Sequence, residues 1–333
     1  MKDVARQAGV SVASVSRALS RPNEVRPQTR DVVLEAVRQT GYRMNQAAAD
    51  LRTGRSKTLL VLVSDITNAF FAEFFKGIEE EARKSGYVTL IGDTSEAIEN
   101  ERAFSDMLLL NQAGGLILNA LGFPEDLKPT DGQSRYSGPP LVSCGGHGHL
   151  SVPVVRIDDE MGGRLAAQHL IDLGHSDITQ VCGPLNAKSL ERRYDGFNAA
   201  LRIAGLPVQT DRFLHGPLST EFGLQAAQTL LDRPALPTAI FAHNDEVAVS
   251  LMHGLANAGV RIPDDVSVVG YDDMPYAAVF NPGLTTVSLP RREWGRRACQ
   301  KLMSILEGHP ATDDQQIIKP QFIARASSGR ART

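Results

Sequence analysis

From Leu59 onward, the chain repeats a pattern that strongly limits the folds open to it: short apolar segments alternate with stretches of helical periodicity. Strands separated by helices are typical of a parallel α/β sheet. The sequence therefore predicts an α/β body. Its eight candidate strands read LLVLVSD, YVTLIGD, GGLILNA, PLVSC, VVRID, ITQVCG, TAIFAHND and VSVVGYDD.

Many of these candidate strands end in Asp, Asn or Gly. Ligands of open α/β sheets bind at the carboxyl ends of the strands, so the strand ends are the candidate ligand site. A weak internal repeat indicates two similar lobes. GIEEEARKSGY begins at Gly77 and GFNAALRIAGL at Gly196, each follows a strand and a turn, and both have the same nine-residue spacing between glycines.

The segment before this body predicts a small bundle of helices. VARQAGV gives one helical stripe, which Gly9 ends. Ser11 is suited to cap a second helix at about 12–20, because its hydroxyl can accept from a backbone N–H two or three residues later. A third helix runs from Pro27 to a stop at Gly41. Two short helices around a Gly-containing turn match the helix-turn-helix, whose second helix enters the DNA major groove.

The second helix has an inward and an outward side. Val15, Ala18 and Leu19 have the i, i+3, i+4 spacing of an inward face. Small side chains on the other side would let the backbone approach a DNA groove closely; plain helix packing is the alternative for Val12 and Ala13. The outward or leading positions hold Val12, Ala13, Ser14, Ser16 and Arg17.

The formal charge is unevenly divided along the chain. Residues 1–56 carry ten basic and five acidic side chains, whereas the remainder carries 25 basic and 33 acidic ones. A short basic head on a long acidic body suggests a module that binds a polyanion. A solvated basic face is the alternative reading of the charge alone.

Three segments carry a family resemblance: DVARQAGVSVASVSRAL, VRPQTRDVVLEAVRQTGY and NQAAADL. Through them the chain resembles the LacI/GalR family of bacterial transcriptional repressors, and the resemblance extends through the entire sequence. MKDVA, LIGD and SLPRREWGRRA are most similar to the cytidine repressor branch. The resemblance implies an all-α helix-turn-helix head and an α/β body of two Rossmann-like lobes, as in type I periplasmic binding proteins.

The same resemblance implies the domain boundaries. We expect a DNA-binding head at 1–44, a hinge helix with a linker at 45–57, and an effector-binding and dimerisation domain at 58–333. Within that domain the chain should cross between lobes near 157, 286 and 313, giving an N-lobe at about 58–156 and 287–312 and a C-lobe at about 157–286 and 313–330.

The resemblance also implies roles in DNA binding. Val12 and Ala13 fall where this family reads base edges, Arg17 where it donates a bidentate pair to guanine, and Ser16 where it contacts phosphate. Leu51 falls at the position of the family's leucine that wedges into the minor groove. The alternative is that Leu51 is a linker residue packed on the body. The complete expected DNA-binding set is Val12, Ala13, Ser14, Ser16, Arg17, Asn45, Ala48 and Leu51.

A second implied set would bind a small effector between the lobes. Carboxylates and amides pair with hydroxyl groups, while aromatic faces cover the C–H faces of a ring. The alternatives are helix capping for Asp65 and Asp272 and core packing for Phe71. Leu218 stands where many members carry an aromatic side chain that stacks on the effector. The expected set is Asp65, Asn68, Phe70, Phe71, Arg193, Asn244 and Asp272.

Other classes of protein are less well supported. No GxSxG, P-loop, GxGxxG after the first strand, or Cys/His pair is present, so we expect no enzyme and no cofactor. The three cysteines are widely spaced without a CxxC pair, which argues against disulfides and a metal site. With no apolar stretch of about 20 residues and no secretory signal, we expect a cytoplasmic protein without a membrane partner. A solute-binding protein without a DNA regulatory role is the alternative.

These expectations combine into one mechanism. A homodimer places two heads on a pseudo-palindromic, double-stranded operator, with residues 45–53 folding in the minor groove. A sugar or nucleoside bound between the lobes changes their relative rotation, so that effector affinity and DNA affinity are linked. We expect induction, in which the effector weakens DNA binding.

Overall fold

The computed structural model describes residues 1–42, 56–95, 98–120, 122–129, 136–145, 151–185, 187–208, 213–309 and 315–332. These residues form two compact units, Met1–Ser56 and Lys57–Thr333. Among the described residues, no helix combines the length and the apolar character that a membrane span requires.

The first unit contains the three helices that the sequence predicts. They are α1 (Lys2–Ala8), α2 (Val12–Ser20) and α3 (Pro27–Thr40). Gly9 and Gly41 end α1 and α3 in the left-handed conformation, with φ of 65° and 63°, which glycine adopts without a steric penalty. The Ser11 hydroxyl caps α2 by accepting from the Ser14 backbone N–H at 3.1 Å. Val4, Val15 and Val33 are fully buried, so this small unit has its own core.

The second unit alternates strands and helices. In chain order its elements are β1 (Thr58–Val63), α4 (Phe70–Lys84), β2 (Val88–Asp93), α5 (Ile98–Leu109), β3 (Gly115–Asn119), β4 (Leu141–Ser143), β5 (Val154–Ile157), α6 (Asp159–Asp172), β6 (Ile178–Cys182), α7 (Lys188–Ile203), β7 (Phe213–His215), α8 (Thr220–Leu231), β8 (Ala239–Ala242), α9 (Asp245–Asn257), β9 (Ser267–Asp272), β10 (Thr285–Ser288), α10 (Arg291–Leu306), β11 (Gln315–Ile318) and β12 (Gln321–Ile323). All eight apolar segments that opened the sequence analysis are strands.

Two six-stranded sheets define two lobes. The first lobe has the strand order β11-β5-β4-β3-β1-β2 and the second has β12-β10-β9-β8-β6-β7. Pairing is parallel throughout, except between β10 and β12. The α/β fold with two similar lobes is therefore confirmed.

The apolar character of β1 follows from its interior place in the first sheet, between β3 and β2. Leu59 and Val61 belong to one buried cluster, together with Phe74 of α4. Leu60 and Leu62 belong to another on the opposite face. A strand buried on both faces reads as a continuous apolar run rather than as an alternating one.

The chain crosses between the lobes three times. It leaves the first sheet after β5, returns after β10 to form α10 and β11, and enters the second sheet again as β12. The third crossing follows Ile318, later than the predicted position near 313, because β11 pairs with β5 in the first sheet. The predicted boundary placed β11 in the C-lobe. This edge strand is short and partly polar, so no periodic pattern of apolar residues indicated that it belongs to the first sheet.

Glycines allow very close packing of one helix pair in each lobe. A Cβ on Gly77 of α4 would lie 2.0 Å from the Arg292 carbonyl oxygen in α10, and one on Gly295 would lie 2.0 Å from the Phe74 carbonyl oxygen. In the second lobe, Gly196 of α7 has the same relation to Glu160 of α6. Gly77 and Gly196 begin the two halves of the sequence repeat, which therefore marks equivalent helix contacts.

Candidate DNA-binding surface and ligand cleft

A cavity of about 370 Å³ lies between the two lobes at the carboxyl ends of their strands. It is the position that the sequence predicts for a ligand. Seven residues from four distant parts of the chain line it, and they are the complete set predicted for an effector: Asp65, Asn68, Phe70, Phe71, Arg193, Asn244 and Asp272.

On the first-lobe side, the polar residues follow β1. The Asp65 carboxylate accepts from the backbone N–H and the hydroxyl of Thr67, at 2.8 and 2.7 Å. The Asn68 side-chain carbonyl accepts from the Phe70 N–H at 2.9 Å. Both side chains thus stabilise the turn into α4 and line the cleft as well, so turn stabilisation and ligand contact are compatible here.

Aromatic side chains form the apolar part of this wall. The rings of Phe70 and Phe71 meet edge to face with centroids 5.3 Å apart, and Trp294 of α10 lies 6.2 Å from Phe70. The Trp294 Nε1–H donates to the Val155 carbonyl at 2.7 Å, which fixes the indole. Trp294 lines the cavity and is the only tryptophan of the sequence, so its fluorescence reports directly on this cleft.

Arg193 dominates the second-lobe wall. Its guanidinium carbon lies 3.3 Å from the centroid of the Tyr271 ring. Its Nη2 donates to Asp159 Oδ1 at 2.8 Å, and its Nη1 donates to the His243 carbonyl. Its Nε is buried and has no hydrogen-bond partner among the described residues.

Asp272 ends β9 in an unusual backbone conformation. Its φ is 114° and that of Asp273 is 55°, values that cost non-glycine residues conformational energy. Asp272 is 9% exposed, and no hydrogen bond reaches its carboxyl group from the described part of the chain. Burial raises the pKa of this carboxyl well above its ordinary value, and the nearby Arg193 partly opposes that effect. A strained backbone thus presents a buried carboxyl to the cleft.

Asn244 has the structural role that its position suggests. Its side-chain oxygen accepts from the Val247 N–H at 2.9 Å and caps α9. Asn244 also lines the cleft while being only 4% exposed. Leu218 lines the cleft too, so this part of the wall presents an aliphatic side chain.

The sequence analysis missed several residues of the cleft. Asn119 ends β3, lines the cavity and has a buried side-chain nitrogen without a partner in the described chain. It belongs to GGLILNA, so the rule that ligands bind at strand ends was sufficient to find it. Asp159 and Trp294 also line the cavity, whereas Tyr271 acts from behind Arg193. Their roles depend on contacts between distant segments that no local pattern indicates.

In the head, α2 has the two faces that the sequence predicts. Val15 and Ala18 are buried, whereas Val12 is 41% exposed and Ala13 and Arg17 are exposed as well. Ser14 and Ser16 are half-buried. The remaining predicted DNA-binding residues, Asn45, Ala48 and Leu51, lie outside the described residues.

Arg17 also differs from its neighbours in its electrostatic pairing. Arg6, Arg21 and Arg38 each form an ion pair with an acid three residues away. Within residues 1–42, no carboxylate pairs with Arg17. The exposed face of α2 therefore carries a cation that is available to a polyanion.

A helix-turn-helix head and a two-lobed body with a polar and aromatic cleft define a DNA-binding regulator that responds to a small molecule. Residues 1–45 match the family model described as bacterial regulatory proteins, lacI family, and residues 167–328 match the periplasmic binding protein-like domain. The chain belongs to the lacI family, and it is a transcriptional regulator rather than an enzyme.

Similar proteins span nearly the whole chain. The transcriptional repressor CytR of Escherichia coli strain K12 is 33% identical over 98% of this chain and 96% of its own length. The repressor PurR of Photobacterium profundum is 35% identical over 98% of both. A crystal structure of the Lac repressor dimer bound to operator and the anti-inducer ONPF has a TM-score of 0.87 at 26% identity, covering 98% of each chain.

Proposed function

We propose that this regulator binds an operator as a homodimer and releases it when a small sugar or nucleoside enters the interlobe cleft. One observation carries the proposal. Seven residues that are scattered between positions 65 and 272 line a single cavity, and both lobes contribute to it. A protein that regulates transcription works where chromosomal DNA is, so we place it in the cytoplasm.

The exposed side of α2 supports the proposed DNA contacts. Val12, Ala13 and Arg17 are exposed on one side of the helix, opposite the buried Val15 and Ala18. We propose that Val12 and Ala13 meet thymine methyl groups and that Arg17 donates to guanine, with Ser14 and Ser16 close to the sugar-phosphate backbone. Asn45, Ala48 and Leu51 complete this proposal as minor-groove contacts.

The size and chemistry of the cleft support the proposed ligand class. Its volume is at the lower end of the range of about 300–1,000 Å³ that is usual for ligand pockets, which favours a small molecule. Carboxyl and amide groups of Asp65, Asn119 and Asp272 suit hydroxyl groups, and the rings of Phe70 and Trp294 suit the face of a sugar or a base.

The topology supports coupling between cleft and DNA. A ligand that contacts both walls binds best at one relative orientation of the lobes, and it therefore shifts the population of orientations. If the head binds DNA best at another orientation, ligand affinity and DNA affinity are linked and oppose each other. The Lac repressor is a dimer in its operator complex, which supports a dimer of this chain.

The test begins by enriching a randomised duplex library on the purified full-length protein. Trp294 fluorescence is then titrated with D-ribose, D-galactose, cytidine and adenosine, and the compound that changes it most is added to the operator complex. We expect that compound to weaken operator binding by about 5- to 150-fold. Tighter binding would contradict induction, and no response of Trp294 to any of the four compounds would contradict the proposed ligand class.

A further inference from the structure

Asp159 lines the cleft on its second-lobe side and accepts two hydrogen bonds at one oxygen. Arg193 Nη2 donates to its Oδ1 at 2.8 Å, and the Tyr271 hydroxyl donates to the same atom at 3.1 Å. The side chains of Asp159 and Arg193 are each only 7% exposed. These contacts join residues that are far apart in the sequence, and they orient the guanidinium against the Tyr271 ring.

Two features next to Asp159 favour its contacts with Arg193 and Tyr271. Asp159 is the first residue of α6, where the helix dipole favours a negative charge. One turn later, a Cβ on Gly162 would lie 2.2 Å from the Tyr271 hydroxyl oxygen, so the absence of a side chain there makes room for the tyrosine. The second-lobe wall of the cleft thus contains an oriented ion pair.

Asp272, the second acid beside Arg193, is in a different situation. No hydrogen bond from the described residues reaches its carboxyl group, which lines the cavity. A buried arginine needs one counter-charge, and a second ionised acid would remain without a partner in a poorly hydrated site. The direction of the Asp272 pKa, raised chiefly by burial, agrees with an uncharged carboxyl.

Two other charged groups act on Asp272 in opposite directions: Asp245 of α9 raises its pKa and Arg291 of α10 lowers it. Arg291 donates to the Asp273 carbonyl and to the Met274 sulfur, outside the cavity wall. Asp245 accepts from Thr286 and from the Met274 N–H, and burial raises its pKa to about 7.

We propose that Asp159 is the positioning residue of this cleft, which holds Arg193 and neutralises it, so that the cleft binds an uncharged ligand and rejects an anionic analogue. An uncharged Asp272 then both donates to and accepts from ligand hydroxyl groups. An anion would lose its hydration without meeting an unpaired cation. This inference rests on the proposed role of the cleft as the effector site.

The first experiment needs no ligand. Urea unfolding of the full-length protein is measured from pH 5 to pH 9 for the parent, Asp159→Asn, Asp272→Asn and the double variant. Glu160→Gln is the matched control, because Glu160 is the next residue of α6 and is exposed, and its substitution removes the same negative charge.

In Asp159→Asn, Asp272 becomes the acid that compensates Arg193, and its pKa falls toward the ordinary range. The raised pKa of Asp272 makes the parent lose stability as the pH rises above about 4, whereas Asp272 of the variant is ionised in both the folded and the unfolded state. The stability deficit of the variant relative to the parent should therefore be largest at pH 5 and should shrink as the pH rises. The ratio of the unfolding constant of Asp159→Asn to that of the parent should fall by up to about tenfold per pH unit as the pH rises from 5. The double variant should lose more stability than the two single losses added together, whereas Glu160→Gln should follow the parent.

A purely structural role for Asp159 predicts something different: a loss that is the same at every pH and additive with that of Asp272→Asn. Either of these two results would overturn the proposal. Because no ligand is involved, they would do so without affecting the proposed function of the cleft.

The second experiment compares matched probes by Trp294 fluorescence. The pairs are D-ribose with D-ribose 5-phosphate, cytidine with cytidine 5′-monophosphate, and D-galactose with D-galacturonate. The parent should bind the neutral member of a pair more tightly, and the double variant Asp159→Asn/Asp272→Asn, in which neither acid compensates Arg193, should shift that preference toward the anion by about tenfold or more. An anion that binds the parent as tightly as its neutral partner contradicts the inference. If no probe binds, the proposed ligand class fails, while the unfolding series still decides the role of Asp159.

Discussion

Gly163 of α6 lies directly against the backbone of Arg193 in α7. A Cβ at Gly163 would be 2.0 Å from the Arg193 carbonyl oxygen, a distance that packed atoms cannot reach. Gly196 makes the reciprocal contact with the Glu160 carbonyl oxygen. The two helices are therefore fixed at the point where one provides Asp159 and the other Arg193, and the packing of the fold positions the ion pair of the cleft.

Gly163→Ala should destabilise the second unit. The added methyl group must separate α6 from α7, and overpacking of this kind costs about 1–3 kcal/mol, which exceeds the gain of up to about 1 kcal/mol in helix propensity. Urea unfolding measures the difference. Arg164→Ala, at the next and half-exposed position, is the control and should change stability by less than about 0.5 kcal/mol. Equal stability of the two variants would contradict the close contact.

Asp245 should make stability depend on pH in a defined direction. Burial raises its pKa to about 7, so its contribution to stability is complete below pH ~4 and is lost as the pH rises toward 7. The loss is at most about 4 kcal/mol for this shift. Asp245→Asn removes the titration, so its stability should fall less than that of the parent between pH 4.5 and pH 8 in urea unfolding. Parallel pH profiles would show that Asp245 is already ionised in the folded protein at pH 4.5.

Arg17→Ala should reduce the ability of the head to distinguish operator from unrelated DNA. Arg17 is exposed on α2 and has no carboxylate partner within residues 1–42. Loss of a bidentate contact to guanine should cost about 1–3 kcal/mol of discrimination, measured by competition between the enriched operator and a scrambled duplex. Arg38→Ala is the control, since Arg38 pairs with Glu35 on α3. Unchanged discrimination in Arg17→Ala would show that a residue other than Arg17 distinguishes the bases of the operator.

The parts of the fold that the sequence predicted are those with strong periodic signals. The eight apolar runs are strands, and the turns at Gly9 and Gly41 end helices as expected. The strands that were missed, β7, β10, β11 and β12, have three or four residues each. β4, β5 and β8 are equally short and were predicted, so length alone is not the reason. β7, β11 and β12 are partly exposed edge strands and β10 is the polar segment TTVS, so only the sheet partner determines that each is a strand.

The residues of the cleft likewise include some that were predicted and some that were not. Arg193 and Asp272 were predicted through the family resemblance of the segments that contain them, and both line the cavity. Asp159 was not predicted, because its partners Arg193 and Tyr271 lie 34 and 112 residues away. Such a contact exists only after α6, α7 and β9 have packed. The family resemblance therefore indicated residues of the cavity wall, and tertiary structure revealed what holds them.

Arg193→Lys should separate ligand response from DNA binding. Lysine keeps a positive charge for Asp159 but lacks the planar fork that donates to both Asp159 and the His243 carbonyl while it lies on the Tyr271 ring. Operator affinity without ligand should stay within about threefold of the parent, whereas the ligand concentration for half-maximal release should rise by about tenfold or more. Arg202→Lys, at an exposed position of α7, is the matched control and should behave like the parent. An unchanged midpoint in Arg193→Lys would place the ligand away from this wall, and a large loss of operator affinity without ligand would show that Arg193 acts on the DNA-bound conformation itself.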